Sequence, residues 1–295
     1  GLGDVYKRQD MKRLFLCALF AAVFATVASY AQTISSADLP PIKPIEKNVF
    51  DTAYTKIYYE YSFRKDSLKT KRTEGQTILL VGKYCLGFMD YYRLMSDNIN
   101  DSLYYAKQSP MTLFSKVMGI MKNIAYKYPL VIDKRTGQAT IQVNNINKYE
   151  YTEPQPVINW KLADGDTVIC DVPCKKASCT FGGREWTAWY APAYHLQAGP
   201  YLFSGLPGLI FDIRDTKDNY RFTLNGLENL QSGVAIYLNA EKNIIRTTRK
   251  NVFRAVENEQ RDILKAFKLS SPGIQFSGDM KKQSHSRPYN PIEFE

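Results

Sequence analysis

The groups with the most chemical potential in this chain lie between Arg184 and Asp215. His195 stands in "APAYHLQAGPY", Ser204 precedes a glycine, and Asp212 follows on a run of apolar residues. A histidine base, a serine nucleophile and an aspartate would make a hydrolytic set if the fold brought them together. The local signatures of such enzymes are absent: there is no G-x-S-x-G elbow and no H-E-x-x-H helix. A serine in a turn more often bonds its own backbone. His285, the second of two histidines, stands in a polar tail.

Arg184, Glu185, Asp212 and Asp215 form a second candidate group, able to bind an anion or to supply paired carboxylates for acid–base work. The reading favoured over both is a solvent-facing set of ion pairs at strand ends. Trp186, Trp189, Tyr190 and Tyr201 could stack on a sugar or line an apolar pocket, against the commoner role of packing a sheet. Beyond residue 31 the cysteines are Cys85, Cys170, Cys174 and Cys179. Their C-x3-C-x4-C run lacks the tight pairs of a structural zinc site, so no metal is expected. Disulfides are the alternative in an oxidising compartment, with the pairing left open. No cofactor motif and no phosphate-cradling glycine loop is evident.

These side chains are expected on a β-rich scaffold. Residues 55–63 are dense in β-branched and aromatic types, and residues 76–88 read as a second strand kinked at Gly82. Residues 87–94, "GFMDYYRL", read as sheet and groove surface. Leu113, Val117, Ile120, Met121 and Ile124 recur at helical spacing and read as core. From Pro129 strands alternate with turns at Gly137, Gly165, Gly182-Gly183 and residues 216–218. Strands 233–239 and 243–248 close the meander, and residues 249–267 form an amphipathic helix. The fold class is α+β and predominantly β: one large curved antiparallel meander sheet, curled toward a half-open barrel, with one or two helices on a face.

The ends carry an address. Residues 1–10 contain "DVYKRQ", the translation of a transposase end used in library preparation, and are read as an adapter scar. Residues 11–31 have the charged start, short apolar run and small-residue exit of a signal peptide. Residues 32–48 read as a flexible lead-in, and residues 49–295 as a single domain with a loose segment near 270–288. Signal removal would lower the formal charge from +10 to +8 and leave no transmembrane span. A basic exported protein meets anionic surfaces rather than nucleic acid.

Six further segments carry a resemblance. Cys174-Lys175-Lys176-Ala177, Phe181-Gly182-Gly183-Arg184, Ala188-Trp189-Tyr190 and Gly199-Pro200-Tyr201 stand in order before Gly205-Leu206-Pro207-Gly208-Leu209-Ile210, and "YNPIEFE" ends the chain. The chain thus resembles the GLPGLI family, also called Porph_ging. The segment around residues 100–128 and the additional Cys170 and Cys179 depart from that pattern. The resemblance implies an exported protein of a Bacteroidetes-type bacterium, in the periplasm or on the periplasmic face of the outer membrane. It implies no activity and hands over no catalytic residue. The sequence therefore leaves two functions. One is a non-catalytic binding or chaperone-like module for an apolar, peptide, lipid or envelope-protein partner. The other is a periplasmic hydrolase centred on His195 with Arg184 and Asp212. In both, the glycines and Pro207 of the hexapeptide set the angle at which the following strand enters the sheet.

Overall fold

The computed structural model describes residues 39–270 and 286–294. The expected scar, the signal peptide, His285 and most of the loose segment lie outside those residues. Two long strands form the axis of the molecule, β1 (Lys47–Phe63) and β11 (Tyr220–Asn239). They pair antiparallel from Lys47 opposite Asn239 to Phe63 opposite Tyr220, with three register shifts along the way. Bulges of this kind bend and twist a strand, which two strands this long require.

One side of β1 is built outward from β2 (Thr73–Gly82), β3 (Cys85–Asp90), β4 (Leu130–Asp133), β5 (Gln138–Asn144) and β6 (Lys148–Pro154). A two-residue β12 (Ile245–Arg246) caps that edge by parallel pairing with β6. Beyond β11 lie β10 (Leu209–Asp215), β9 (Arg184–Ala191), β8 (Val172–Phe181) and β7 (Lys161–Ile169). The result is one twelve-stranded sheet, antiparallel except at β12, and it does not close into a barrel. It does curl. Gln155, just past β6, donates to Ser204 Oγ at 2.8 Å, and Trp160 Nε1 donates to the Ser204 carbonyl at 2.8 Å, joining chain from both halves of the sheet.

Alternation along the strands makes two cores. Ile57, Tyr59 and Tyr61 share the main core with Leu79, Phe88 and Phe222, while Ile78, Leu80, Met89 and Ile236 form a second cluster. Each fully buried Phe or Leu contributes about 1.5–3 kcal/mol by leaving water. Both faces therefore need a cover. Helix α3 (Arg249–Arg261) lays Val252, Phe253 and Val256 on the main core, and α4 (Ile263–Ser270) continues from it. Helix α1 (Tyr91–Tyr105) lays Leu94 on the second cluster, with α2 (Pro110–Met121) beside it. Helices thus cover both faces rather than one.

Asp90 ties this helical excursion to the sheet. Its Oδ1 caps α1 by accepting from the amides of Tyr92 and Arg93 at 2.8 and 3.1 Å. Its Oδ2 accepts from the amides of Ala125 and Tyr126, both at 2.9 Å, where the chain returns toward β4. Burial pushes the Asp90 carboxyl above its ordinary pKa, opposed by these four amides.

Several local expectations are corrected. The strand over residues 76–88 is two strands, because Asp51 Oδ2 accepts from the amides of Tyr84 and Cys85 at 2.6 and 2.9 Å and fixes a turn after Gly82. Residues 91–94 begin α1 instead of continuing sheet surface, since Asp90 supplies its cap. The Gly165 segment is a bulge inside β7, and the turn falls at Cys170 and Asp171, both with positive φ. The strand that the pattern places at 157–162, before the Gly165 turn, starts only at Lys161 as part of β7, and β6 is one that the pattern does not announce. The strand at 233–239 is the second half of β11. The helix over 249–267 breaks at Asp262. Of the five apolar residues at helical spacing near α2, only Val117 is buried. The lead-in is tied down at its end: Asn100 Nδ2 donates to the Lys43 carbonyl at 2.7 Å, and the Ile45 amide to Asp101 Oδ1 at 2.8 Å.

Candidate functional site

Strand parity separates the expected hydrolytic set. Arg184, Trp186, Ala188 and Tyr190 alternate along β9, and Trp186 stands opposite Asp215 on β10. Trp189, of the other parity, stands opposite Asp212. Arg184 and Asp212 therefore point to opposite faces of the sheet. Asp212 is held on its own face by Arg221 Nε at 2.9 Å and Thr223 Oγ1 at 2.7 Å. His195 is exposed in the loop after β9, with no hydrogen bond among the described residues. Ser204 gives its hydroxyl oxygen to Gln155, not to an imidazole. Of the aromatic group, Trp186, Tyr190 and Tyr201 are buried in the main core, and Trp189 is half-buried against it.

The charged set is corrected as well. Arg184, Asp212 and Asp215 are 6%, 2% and 2% exposed, so only Glu185 faces solvent as expected. Arg184 uses its guanidinium as a hub. Nη1 meets Asp215 Oδ2 at 3.2 Å, Nε donates to the Ile292 carbonyl at 3.0 Å, and Nη2 donates to Asn290 Oδ1 and the Pro291 carbonyl at 2.7 and 2.5 Å. Its plane lies over the rings of Tyr220 and Phe294 at 5.0 and 4.5 Å. The hub fastens the C-terminal segment, residues 286–294, across the main core. The Phe294 amide donates to the Gly182 carbonyl at 2.7 Å, and Tyr220 Oη donates to the Asn290 carbonyl at 2.5 Å. Glu293, 3% exposed, accepts from the Tyr201 hydroxyl and from Arg249 Nη2 of α3, the latter at 2.6 Å. Burial and then the Glu293 charge push the Tyr201 hydroxyl far above the ordinary tyrosine range.

The hexapeptide shapes the entrance to β10. Gly205 and Gly208 have positive φ, and Leu206, Leu209 and Ile210 are buried. A register shift between Ile210 and Asp212 interrupts the alternation of faces along β10, so Ile210 and Ile213 both pack in the main core. Tyr59 Oη donates to the Ile210 carbonyl at 2.8 Å, pinning the entrance to β1. Glu293 and Arg249 are central residues that sequence reasoning missed. Their one signal was the terminal "YNPIEFE".

An outer groove of about 440 Å³ lies between the sheet and α1–α2, lined by Tyr58, Ile78, Leu94 and Met95 with Lys56 and Lys116. An inner cavity of about 140 Å³ lies beneath the C-terminal strap.

Among the described residues Cys85, Cys170, Cys174 and Cys179 are free, so none of the disulfide pairings left open by the sequence is formed there. Cys174 and Cys179 are five positions apart on β8, about 16 Å of extended chain. Cys85 lies across the sheet on β3, and the Cys170 thiol donates to the Leu224 carbonyl at 3.4 Å. Burial pushes the Cys174 and Cys179 thiols up to about 11 and about 12. Only thiolates react readily, so iodoacetamide at about pH 8 is expected to label exposed Cys170 and spare the three buried thiols until the chain is denatured. Peptide mass mapping reads this, and native labelling of Cys179 at the rate of Cys170 would contradict it.

No family model matches the chain, and no curated protein matches it. Solved structures of PNGF-II in space groups P21 and C2 match it at 12% identity, with TM-scores of 0.46 and 0.45. Each match covers 72% of this chain and 34% of the other, so this chain spans about a third of the length of those structures.

Proposed function

We propose that this chain is an exported cell-envelope protein of the GLPGLI (Porph_ging) family, residing in the periplasm or on the periplasmic face of the outer membrane. It works as a non-catalytic binding module for an apolar, peptide or lipid partner of the envelope. The observation that carries the reading is the outer groove. Its volume of about 440 Å³ falls within the range of small-molecule sites, and its lining mixes apolar side chains such as Ile78, Leu94 and Leu103 with the polar Asn98 and Ser102. Lys56 and Lys116 line it as well, which suits an amphiphile with an anionic end. The placement of Arg184 and Asp212 on opposite faces of the sheet, with His195 hydrogen-bonded to neither, supports binding over hydrolysis. The family reading is supported by the packing of its motif segments as one unit. Phe181 meets Phe203 at 5.4 Å, Arg184 and Gly182 grip the terminal segment, and Tyr201 bonds Glu293.

Native mass spectrometry of the chain purified from a periplasm tests this. The expected result is a discrete excess mass that is lost on denaturation. Met95→Trp, which fills the groove from its half-buried α1 position, is expected to reduce that occupancy at least tenfold. No excess mass, together with no saturable uptake of a long-chain fatty acid by the stripped protein, would sink the reading.

A further inference from the structure

We infer that the inner cavity is a second, separate site, built for a small organic anion: a carboxylate or phosphate on a body of about one ring. The cavity is lined by the rings of Tyr61, Phe63, Tyr128 and Tyr220. Phe63 stacks on Tyr61 and Tyr220 with centroids 5.1 and 5.7 Å apart, so part of the wall is a continuous aromatic surface. Its volume of about 140 Å³ is close to that of an apolar protein cavity of about 150 Å³ that takes up benzene.

The charge is what sets this cavity apart. Lys65, Lys127 and Arg287 converge on it from three separate segments: the end of β1, the approach to β4 and the C-terminal strap. Their side chains are exposed, and none has a carboxylate partner among the described residues. Glu259 is the acidic group that acts on Lys127. It is already engaged by Asn145 Nδ2 at 2.7 Å, Asn147 Nδ2 at 2.6 Å and the Tyr149 hydroxyl at 2.6 Å. Although Lys127 as a residue keeps contact with solvent, desolvation of its ammonium against the cavity wall, then the charges of Lys65 and Arg287, hold it below the ordinary lysine range. Arg287 is kept in place by its own amide, which donates to the Gln260 carbonyl at 2.8 Å. The fold thus gathers three like charges over an aromatic floor, none of them in an ion pair among the described residues. An anion whose charge stays at the cations and whose ring enters the cavity relieves the repulsion and fills the space.

Calorimetric titration of the purified full chain tests this with four probes: benzoate, phenyl phosphate, benzyl alcohol and inorganic phosphate. Saturable binding of both aryl anions is expected, at least tenfold tighter than either control. Lys127→Gln with Arg287→Gln is expected to weaken the aryl anions tenfold or more while leaving the thermal midpoint unchanged, because both side chains are exposed. Met95→Trp, in the outer groove, is expected to leave them unaffected, which separates this site from the first. Benzyl alcohol binding as tightly as benzoate would overturn the anion, and inorganic phosphate matching phenyl phosphate would overturn the ring. Aryl-anion affinity that survives the double substitution, or no saturation at all, would overturn the site.

Discussion

Arg184→Ala is expected to cost about 3–5 kcal/mol of stability, the range for removing one partner of a buried ion pair. Three losses combine. The Asp215 carboxylate, 2% exposed, loses its charged partner. It keeps the amides of Asn219 and Tyr220 at 2.6 and 2.7 Å, which limits the damage on that side. The Pro291 and Ile292 carbonyls lose their donors in a buried place, each worth about 1–3 kcal/mol when left unsatisfied. Phe294 and Tyr220 lose the plane that lies over them. Arg184→Lys should recover little, since one ammonium cannot replace donors aimed at four acceptors from a planar fork. The same substitutions should release the strap. Denaturant melts give the stability, and hydrogen exchange at residues 289–294 gives the release. A loss below about 1 kcal/mol, or a terminal segment as protected as in the parent, would show that the hub does not fasten it.

The hub also marks the limit of what the sequence discloses. Alternation at β9 and β10 made both strands legible, with Gly182-Gly183 and residues 216–218 as their turns. The same alternation could not reveal that Arg184 and Asp215 are buried. A charged residue at a strand end looks the same whether it meets water or a strap, and this strap arrives 108 residues after Arg184. The pattern failed in two other ways. Turn-like residues in β7 formed a bulge because the strand on either side still pairs with β8. A polar stretch inside β11 was absorbed into one strand because β1 offers a partner along almost its whole length. Each of those outcomes was decided by a neighbouring strand and not by the local residues. The two hollows were illegible for a related reason: each is lined from segments far apart in the chain, such as Lys56 with Lys116, or Lys65 with Arg287.

The hexapeptide supports a sharper test, because its two glycines should fail differently. A Cβ on Gly208 would sit 2.3 Å from the Ala191 carbonyl oxygen and 2.7 Å from its carbon, at a φ of +156°. Both obstacles are backbone. Ala191 is fully buried and pairs with Leu209 where β9 meets β10, so neither strand can withdraw without losing the entrance. Gly208→Ala is therefore expected to cost about 3 kcal/mol or more, from overpacking added to backbone strain. Gly205 has a φ of +91°, but its nearest neighbour is the Trp160 ring at 3.9 Å. Gly205→Ala should cost only the strain, about 1–2 kcal/mol. Equilibrium unfolding of the two variants decides the matter. Equal losses would mean that φ alone selects glycine in this turn. A Gly208 variant as stable as the parent would mean that β9 and β10 can part there, and that the hexapeptide does not set how the strand enters the sheet.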